Sequence, residues 1–355
     1  MTSAHWAHLR EYLILARIQT AGVTILTGIF GALAASSAAQ PTALALAALG
    51  VIGLCAHLHG FISNELADQN VDALSGELSA KPLVQGSITR RRAWIAAMLP
   101  AVIAYPIIAL IFPNVWLWGL FLAGHAGEIV YNFRGKRFPG SDACLALWAF
   151  TFCLFGAWSA FLPLPWQTIN FWKLPGSLPP LAWIIAALGG LQIFFNNAIE
   201  GGMKDCDHDA LASARTLASY VLGARVENGR LILPRRFIVF AAALKAPALM
   251  LAALPLIFPA ALDYPRQQPA QSVLYVLLSS AAVGSFIAFH RQTLFNRTGL
   301  KRLFSIHEIS VTYLVPLLLW PVAGGAWAAF LCLFPLAWYL AANRTLYGTF
   351  LNPQV

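Results

Sequence analysis

The sequence predicts an all-α, polytopic transmembrane helical bundle on three observations. The 355-residue chain is 59% hydrophobic and only 10% charged. A soluble protein of this length carries charge on roughly 25% of its residues. Apolar runs of membrane-spanning length recur along the chain, and the basic residues gather in alternate loops between them. One bundle absorbs the whole length, so residues 1–355 read as a single transmembrane domain whose first partner is the lipid bilayer.

A spanning helix needs about 20 apolar residues. By that measure spans are expected at 12–38, 41–63, 88–112, 114–133, 142–162, 180–200, 236–262 and 270–290. Residues 1–10 are too polar for a cleaved signal peptide, and the run from Tyr12 is long enough to stay as a span. The last tract, 309–342, is too long for one ordinary span and is interrupted by Pro321 and Gly324-Gly325. It predicts one tilted helix with an interfacial tail, or two short helices, giving nine spans or ten. Between spans, 163–179 is rich in Pro and Trp. It predicts an interfacial loop anchored by Trp166 and Trp172, and its prolines work against an amphipathic helix.

The net charge is +9, but its distribution does not suit nucleic acid. Arg10, Lys81, Arg90–Arg92, Arg134, Lys136, Arg137, the segment from Lys204 to Arg236, and Arg291, Arg297, Lys301 and Arg302 fall in alternate loops. Lys173 and Arg266 are nearly all that the intervening loops hold. This positive-inside bias places the N-terminus and those loops in the cytoplasm, in the cell (inner) membrane. The sequons at Asn296 and Asn343 then lie inside, so glycosylation is not expected. The five cysteines form no CxxC pair, and most lie in apolar runs as small hydrophobes. Cys206 is the exception, within an acidic segment.

The chemistry concentrates in two acidic blocks at the ends of apolar runs. The chain has 14 Asp and Glu in all. Glu65, Asp68, Asp72 and Glu77 fall within 64–77, and Glu200, Asp205, Asp207 and Asp209 within 200–209. Carboxylates beside lipid need a partner, and the commonest partner for several together is a hard cation such as Mg²⁺. Asn64, Asp68 and Asp72 are spaced i, i+4, i+8, which sets them on one helix face. Asp205 and Asp209 repeat the i, i+4 spacing. Lys81 follows the first block across a Pro-containing turn, and Lys204 and Arg215 flank the second. The loop after the fourth span reads Y-N-F-R-G-K-R from Tyr131 to Arg137. Acids that hold metal beside such cations match what a diphosphate requires: metal bridging carboxylate and phosphate oxygens, with Lys and Arg neutralising the rest. The same groups stabilise the leaving diphosphate if its C–O bond breaks.

On these residues the chain resembles the UbiA superfamily of intramembrane prenyltransferases. That family carries N-x-x-x-D-x-x-x-D after its second helix, a Tyr…Lys-Arg segment after its fourth and a second Asp-rich motif after its sixth. All three occur here in order. K-P-L-V-Q-G from Lys81 resembles the family's R-P-L-x-S-G, with Lys for Arg, and K-D-C-D-H-D-A-L-A-S-A-R-T-L from Lys204 resembles K-D-x-x-G-D-x-x-x-G-x-x-T-L. The family's Arg-Pro pair near the start of helix one is replaced by Ala16-Arg17-Ile18. The resemblance implies helices around a central cavity open to lipid, and a prenyl diphosphate held through Mg²⁺, two ions in the family pattern. It assigns Asn64, Asp68, Asp72, Asp205 and Asp209 to the metal, and Lys81, Lys136 and Arg137 to the diphosphate.

Other residues admit two readings. Lys204 and Arg215 suit the diphosphate, or Lys204 pairs with Glu200 one turn earlier. Tyr131 lines the cavity or belongs to an interfacial belt. Glu128 orients or deprotonates an acceptor, or bonds to His125 or an Arg. Asp207 leaves the Asp205–Asp209 face and reads as structural, while Glu65 and Glu77 read as solvated. His57 and His59 read as packed neutral residues, and Lys245 as snorkelling or paired. The function expected is Mg²⁺-dependent transfer of a prenyl group from a polyprenyl diphosphate to an aromatic ring of hydroxybenzoate, homogentisate or naphthoate type. A glycerol-phosphate lipid acceptor, or intramolecular terpene cyclisation, would use the same chemistry. An ion-coupled transporter would place its acids near the bilayer midplane. Here they sit at helix ends beside Lys and Arg, which favours a phosphate site.

Overall fold

The structure, a computed structural model, describes residues 3–74, 76–162, 170–265 and 268–351. Helix α1 (Ser3–Leu15) leads to a break at Arg17, whose backbone is left-handed at φ 45° and ψ 45°. Helix α2 (Ala21–Ala34) follows, and the chain bends by 56° across the break. The expected first span, 12–38, is therefore broken near its start. Helix α3 (Ala43–Asp72) begins where the Thr42 hydroxyl accepts from the Ala45 amide. It runs 30 residues, roughly 45 Å at 1.5 Å per residue, against a hydrocarbon core of about 30 Å. It passes its expected end at 63 and carries Glu65, Asp68 and Asp72 of the first acidic block, with Glu77 beyond its end.

Helices α4 (Arg90–Ile111), α5 (Val115–Arg134) and α6 (Asp142–Ser159) come next, with Thr89 and Asn114 capping α4 and α5. Helix α7 (Pro180–Phe195) widens into one π-helical turn, Asn196–Gly201, before α8 (Gly202–Leu211). A short hairpin of β1 (Arg225–Glu227) and β2 (Arg230–Ile232) then interrupts the all-α pattern. Asn228 and Gly229 turn it with positive φ, the usual chemistry of a tight hairpin. Helices α9 (Arg235–Ile257) and α10 (Pro269–His290) match their expected spans closely. The C-terminal tract is divided: α11 (Arg297–Thr312) and α12 (Leu314–Ala323) precede a break at Gly324, at φ 88°, and α13 (Gly325–Tyr347) follows. The basic segment holding Arg297, Lys301 and Arg302, expected as loop, is thus the start of a helix.

Among the described residues eight helices are long and apolar enough to cross a membrane, or nine with the bent first pair. Helix α5, with His125, Glu128 and Arg134, is not among them. Between their arginine-bearing ends, α4, α9, α10 and α13 expose many large apolar side chains, among them Leu110, Met250, Val273 and Leu333, as lipid-facing surfaces require. Trp172 is exposed at one end, where its carbonyl accepts from the Trp116 indole, and Lys173 O accepts from the Asn114 amide. Trp166 and Arg266 lie outside the described residues.

The interior is set by close approach of α2 and α6. A Cβ on Gly31 would lie 1.8 Å from the Cys153 carbonyl oxygen, and one on Gly156 would lie 1.8 Å from that of Gly28. Small residues at such crossings let helix backbones pack in lipid, where no hydrophobic drive assists them. Substituting Gly156→Val is expected to cost about 1–3 kcal/mol or more through overpacking, read as a lowered thermal midpoint of the purified protein. An unchanged midpoint would contradict this packing.

Candidate active site

Helix α3 presents Asn64, Asp68 and Asp72 along one side, four residues apart. Glu65, expected to be solvated, is instead only 5% exposed. Its carboxylate meets Arg17 Nη2 at 2.6 Å and Lys81 Nζ at 3.0 Å. Lys81 also lies 2.7 Å from Asp72. The turn carrying Lys81 is fastened back onto α3 by the Gln69 amide, which donates to Leu83 O at 3.0 Å, and Arg90 in turn donates to Gln69 at 3.0 Å. The turn after α3 thus folds its cation over the acids that precede it.

The second row stands on α8. Asp209 is 2% exposed and accepts from Lys136 Nζ at 2.7 Å and from the Thr216 hydroxyl at 3.1 Å. The Arg215 amide donates to Lys136 O at 2.8 Å, which ties the loop after α5 to the segment after α8. Lys204 pairs with Asp205 at 3.7 Å rather than with Glu200. Asp207 turns off this face, as its spacing requires, and Arg297 Nη2 holds both its oxygens at 2.7 and 2.8 Å. Cys206 is buried and donates its thiol to Met203 O. Glu200 faces elsewhere, against His307 Nδ1 at 2.5 Å.

Two cations join the rows. Lys136 lies within electrostatic reach of Asp68 on α3 and of Asp205 and Asp209 on α8. Arg17 reaches Glu65 and Asp72 on α3 and Asp205 on α8. The acid rows of α3 and α8 thus share cations that stand within electrostatic reach of both. Burial works against the Lys136 ammonium, but Asp209 and Asp68 outweigh it and hold its pKa above the ordinary lysine value. Tyr131, from α5, donates its hydroxyl to Asn197 Oδ1 at 2.9 Å, against the π-helical turn. Such wide turns are common at functional positions. Among the expected cations, Arg137 is exposed at the rim and Arg215 stacks over Tyr220 at 5.5 Å.

Glu128 stands apart from these acid rows. It is 5% exposed, lies 3.5 Å from His125 Nδ1 and abuts α3 at Gly60, where an added Cβ would meet its Oε1 at 2.0 Å. Gly60 precedes Asp68 by two helical turns, about 12 Å. His57 bonds to the carbonyls of Ala16 and Arg17 at the helix break, at 3.1 and 3.2 Å. Lys245 is buried, donates to Gln192 Oε1 at 2.8 Å and sits 4.0 Å over the Phe195 ring. Arg17 was not singled out by motif or spacing. A lone Arg at the edge of the first apolar run, where the resembling family has Arg-Pro, was the available signal.

The donors in the two rows are carboxylate and amide oxygens, the set that suits a hard divalent cation. The fold is that of a polytopic membrane protein whose α3 and α8 carry carboxylates paired with Lys81, Lys136 and Lys204. The UbiA prenyltransferase family profile matches residues 22–264, more than half of the chain, and the chain belongs to that family. It is a prenyltransferase. A structure described for digeranylgeranylglyceryl phosphate synthase in membranes aligns at 15% identity over 89% of this chain and 99% of that one, with a TM-score of 0.61. An apo UbiA homolog from Aeropyrum pernix K1 aligns at 17% identity, over 82% and 94%, with a TM-score of 0.60. A UbiA homolog from Archaeoglobus fulgidus, bound to GPP and Mg²⁺, aligns at 19% identity, over 87% and 99%, with a TM-score of 0.57. At these identities the likeness is one of fold. No curated protein matches the chain in sequence.

A raised lysine pKa contributes stability that is complete below the unfolded value, about 10.4, and is lost only as pH climbs through the folded one. The stability difference between the wild type and a Lys136→Met/Asp209→Asn double variant is therefore expected to stay flat from pH 7 to 9 in thermal unfolding. A decline within that window would contradict the charged pairing.

Proposed function

We propose that this chain binds a polyprenyl diphosphate between its two acid rows, on the cytoplasmic side of the membrane, and transfers the prenyl group to an anionic acceptor. Asn64, Asp68, Asp72, Asp205 and Asp209 would hold Mg²⁺, with two ions matching two rows. When bound, Mg²⁺ neutralises the charge that gathers on the departing diphosphate. The observation that carries this reading is Lys136, which donates to Asp209 on α8 at 2.7 Å and stands within electrostatic reach of Asp68 on α3.

Without ligand, the cations lie on carboxylates: Arg17 on Glu65, Lys81 on Asp72 and Glu65, Lys136 on Asp209, Lys204 on Asp205. With diphosphate present, Arg17, Lys81 and Lys136 turn from carboxylate to phosphate oxygens, and Lys204, Arg137 and Arg215 close the rim. These charge-assisted bonds orient the diphosphate with its prenyl chain directed into the bundle. The C–O bond breaks with its electron pair leaving on the diphosphate. The allylic carbon then bonds to the acceptor, which releases a proton. Tyr131, fixed by Asn197, borders the reacting carbon's path, and the apolar bundle excludes water that would otherwise capture the allylic cation.

The acceptor that fits this reading is an aromatic acid of quinone-precursor type. Its anionic group is supported by half-buried Lys301, which stands within electrostatic reach of Lys204 and Asp205. The same lysines suit the phosphate of a glycerol-phosphate lipid, and the fold shared with digeranylgeranylglyceryl phosphate synthase favours that second reading.

Purified protein given geranylgeranyl diphosphate is expected to release diphosphate only with Mg²⁺ and an acceptor. Supplying 4-hydroxybenzoate or geranylgeranylglyceryl phosphate separates the two acceptor classes. Asp68→Ala and Asp205→Ala should each lower turnover by about 10²-fold or more, the scale seen when a main transition-state stabiliser is removed. Mg²⁺-dependent turnover that survives both substitutions would sink the assignment.

A further inference from the structure

A second polar cluster lies deeper in the bundle, on the seam of α3, α4 and α5. His59 of α3 and His125 and Glu128 of α5 bring one donor atom each to within 4.8 Å of one another. His59 is 5% exposed and Glu128 is 5% exposed. Glu128 Oε2 is fully buried and has no hydrogen-bond partner. An ionised carboxylate so placed requires a positive charge close by. His125 Nδ1 lies 3.5 Å from it, and the rings of His59 and His125 lie 4.8 Å apart, centre to centre.

The details suit a metal better than a plain ion pair. His59 Nδ1 lies 2.9 Å from Ala97 O, a contact that fixes this nitrogen as the N–H and turns Nε2 toward the cluster as the ligand atom. A backbone carbonyl on the far nitrogen is the usual support for a ligating histidine. His125 and Glu128 are i, i+3 on one helix, so both project to the same side. Tetrahedral zinc with bonds near 2.0–2.1 Å sets its donors about 3.4 Å apart. His125 Nδ1 and Glu128 Oε2 are already 3.5 Å apart. A small cavity that Cys55, Tyr105 and Phe121 line together with His59 and His125 adjoins the cluster, and would leave room for a further ligand. Two imidazoles and one carboxylate form the donor set typical of Zn²⁺, whereas the acid rows, with oxygen donors alone, suit Mg²⁺.

We propose that His59, His125 and Glu128 bind one Zn²⁺ ion that fastens α3 to α5, at a site separate from the two acid rows. The ion would hold together the two helices that carry Asn64, Asp68 and Asp72 on one side and Tyr131 on the other.

The test is equilibrium binding of Zn²⁺ to tag-free, chelator-treated full-length protein in detergent, with millimolar Mg²⁺ present to saturate the acid rows. One equivalent of Zn²⁺ is expected. Affinity should fall at least tenfold in both His59→Ala and Glu128→Gln, and should be kept in Asp68→Asn. Co²⁺ in place of Zn²⁺ should give visible absorption of a four-coordinate ion in wild type and lose it in Glu128→Gln. Should His59→Ala fail to fold, the near-isosteric Glu128→Gln decides alone. Zn²⁺ binding that is absent, that persists in Glu128→Gln, or that is lost in Asp68→Asn would overturn the proposal. None of these readouts requires turnover, so the zinc site and the prenyl-transfer reading stand or fall separately.

Discussion

Carboxylates at the end of a transmembrane bundle must be matched by cations, and that need organises this protein. Glu65, Asp72, Asp205 and Asp209 are each met by Arg17, Lys81, Lys136 or Lys204. Partly buried pairs of this kind are not strong sources of stability, because desolvation offsets much of their attraction. Their value lies in what they make available. On the proposed reading the cations turn to phosphate oxygens and the acids to metal, so that substrate would exchange one set of pairs for another without leaving bare charge.

The backbone is shaped to this end. Helix α3 overruns the membrane core and carries its acids as a rigid ladder. The left-handed residue at Arg17 breaks the first span and turns a guanidinium towards Glu65. A non-glycine residue in this region carries a local cost and is found where function or tight packing requires it. On the opposite wall the π-helical turn of Asn196–Gly201 meets Tyr131 through Asn197 and leads into the acids of α8. Behind these elements, the glycines of α2 and α6 give the close packing that keeps the frame fixed.

Much of this was legible in the sequence, because it rests on local periodicity. Four-residue spacing places Asp68 and Asp72, or Asp205 and Asp209, on one face wherever the helix lies. The off-face position of Asp207 followed from the same arithmetic, and Arg297 occupies it. Hydropathy located most helices and the doubtful continuity at Gly324. What escaped depends on contacts distant in sequence. Glu65 lies beside solvated-looking neighbours in the chain, yet Arg17, 48 residues away, and Lys81 bury it. Glu200 sits in the acidic block by sequence but bonds with His307, 107 residues on. The hairpin at Arg225–Ile232 carries the Asn228-Gly229 turn signal, but its strands are only three residues long, too short for an apolar alternation to stand out in the sequence.

The central claim is that the two acid rows act on one ligand as a unit. Binding of a non-cleavable prenyl thiodiphosphate in Mg²⁺ tests it most directly, measured for wild type, Asp68→Asn, Asp209→Asn and the double variant. Groups that share one ligand couple strongly. The account predicts that either substitution alone removes most of the Mg²⁺-dependent affinity and that the second adds little. Losses that simply add would mean that the rows serve separate sites, and would contradict it.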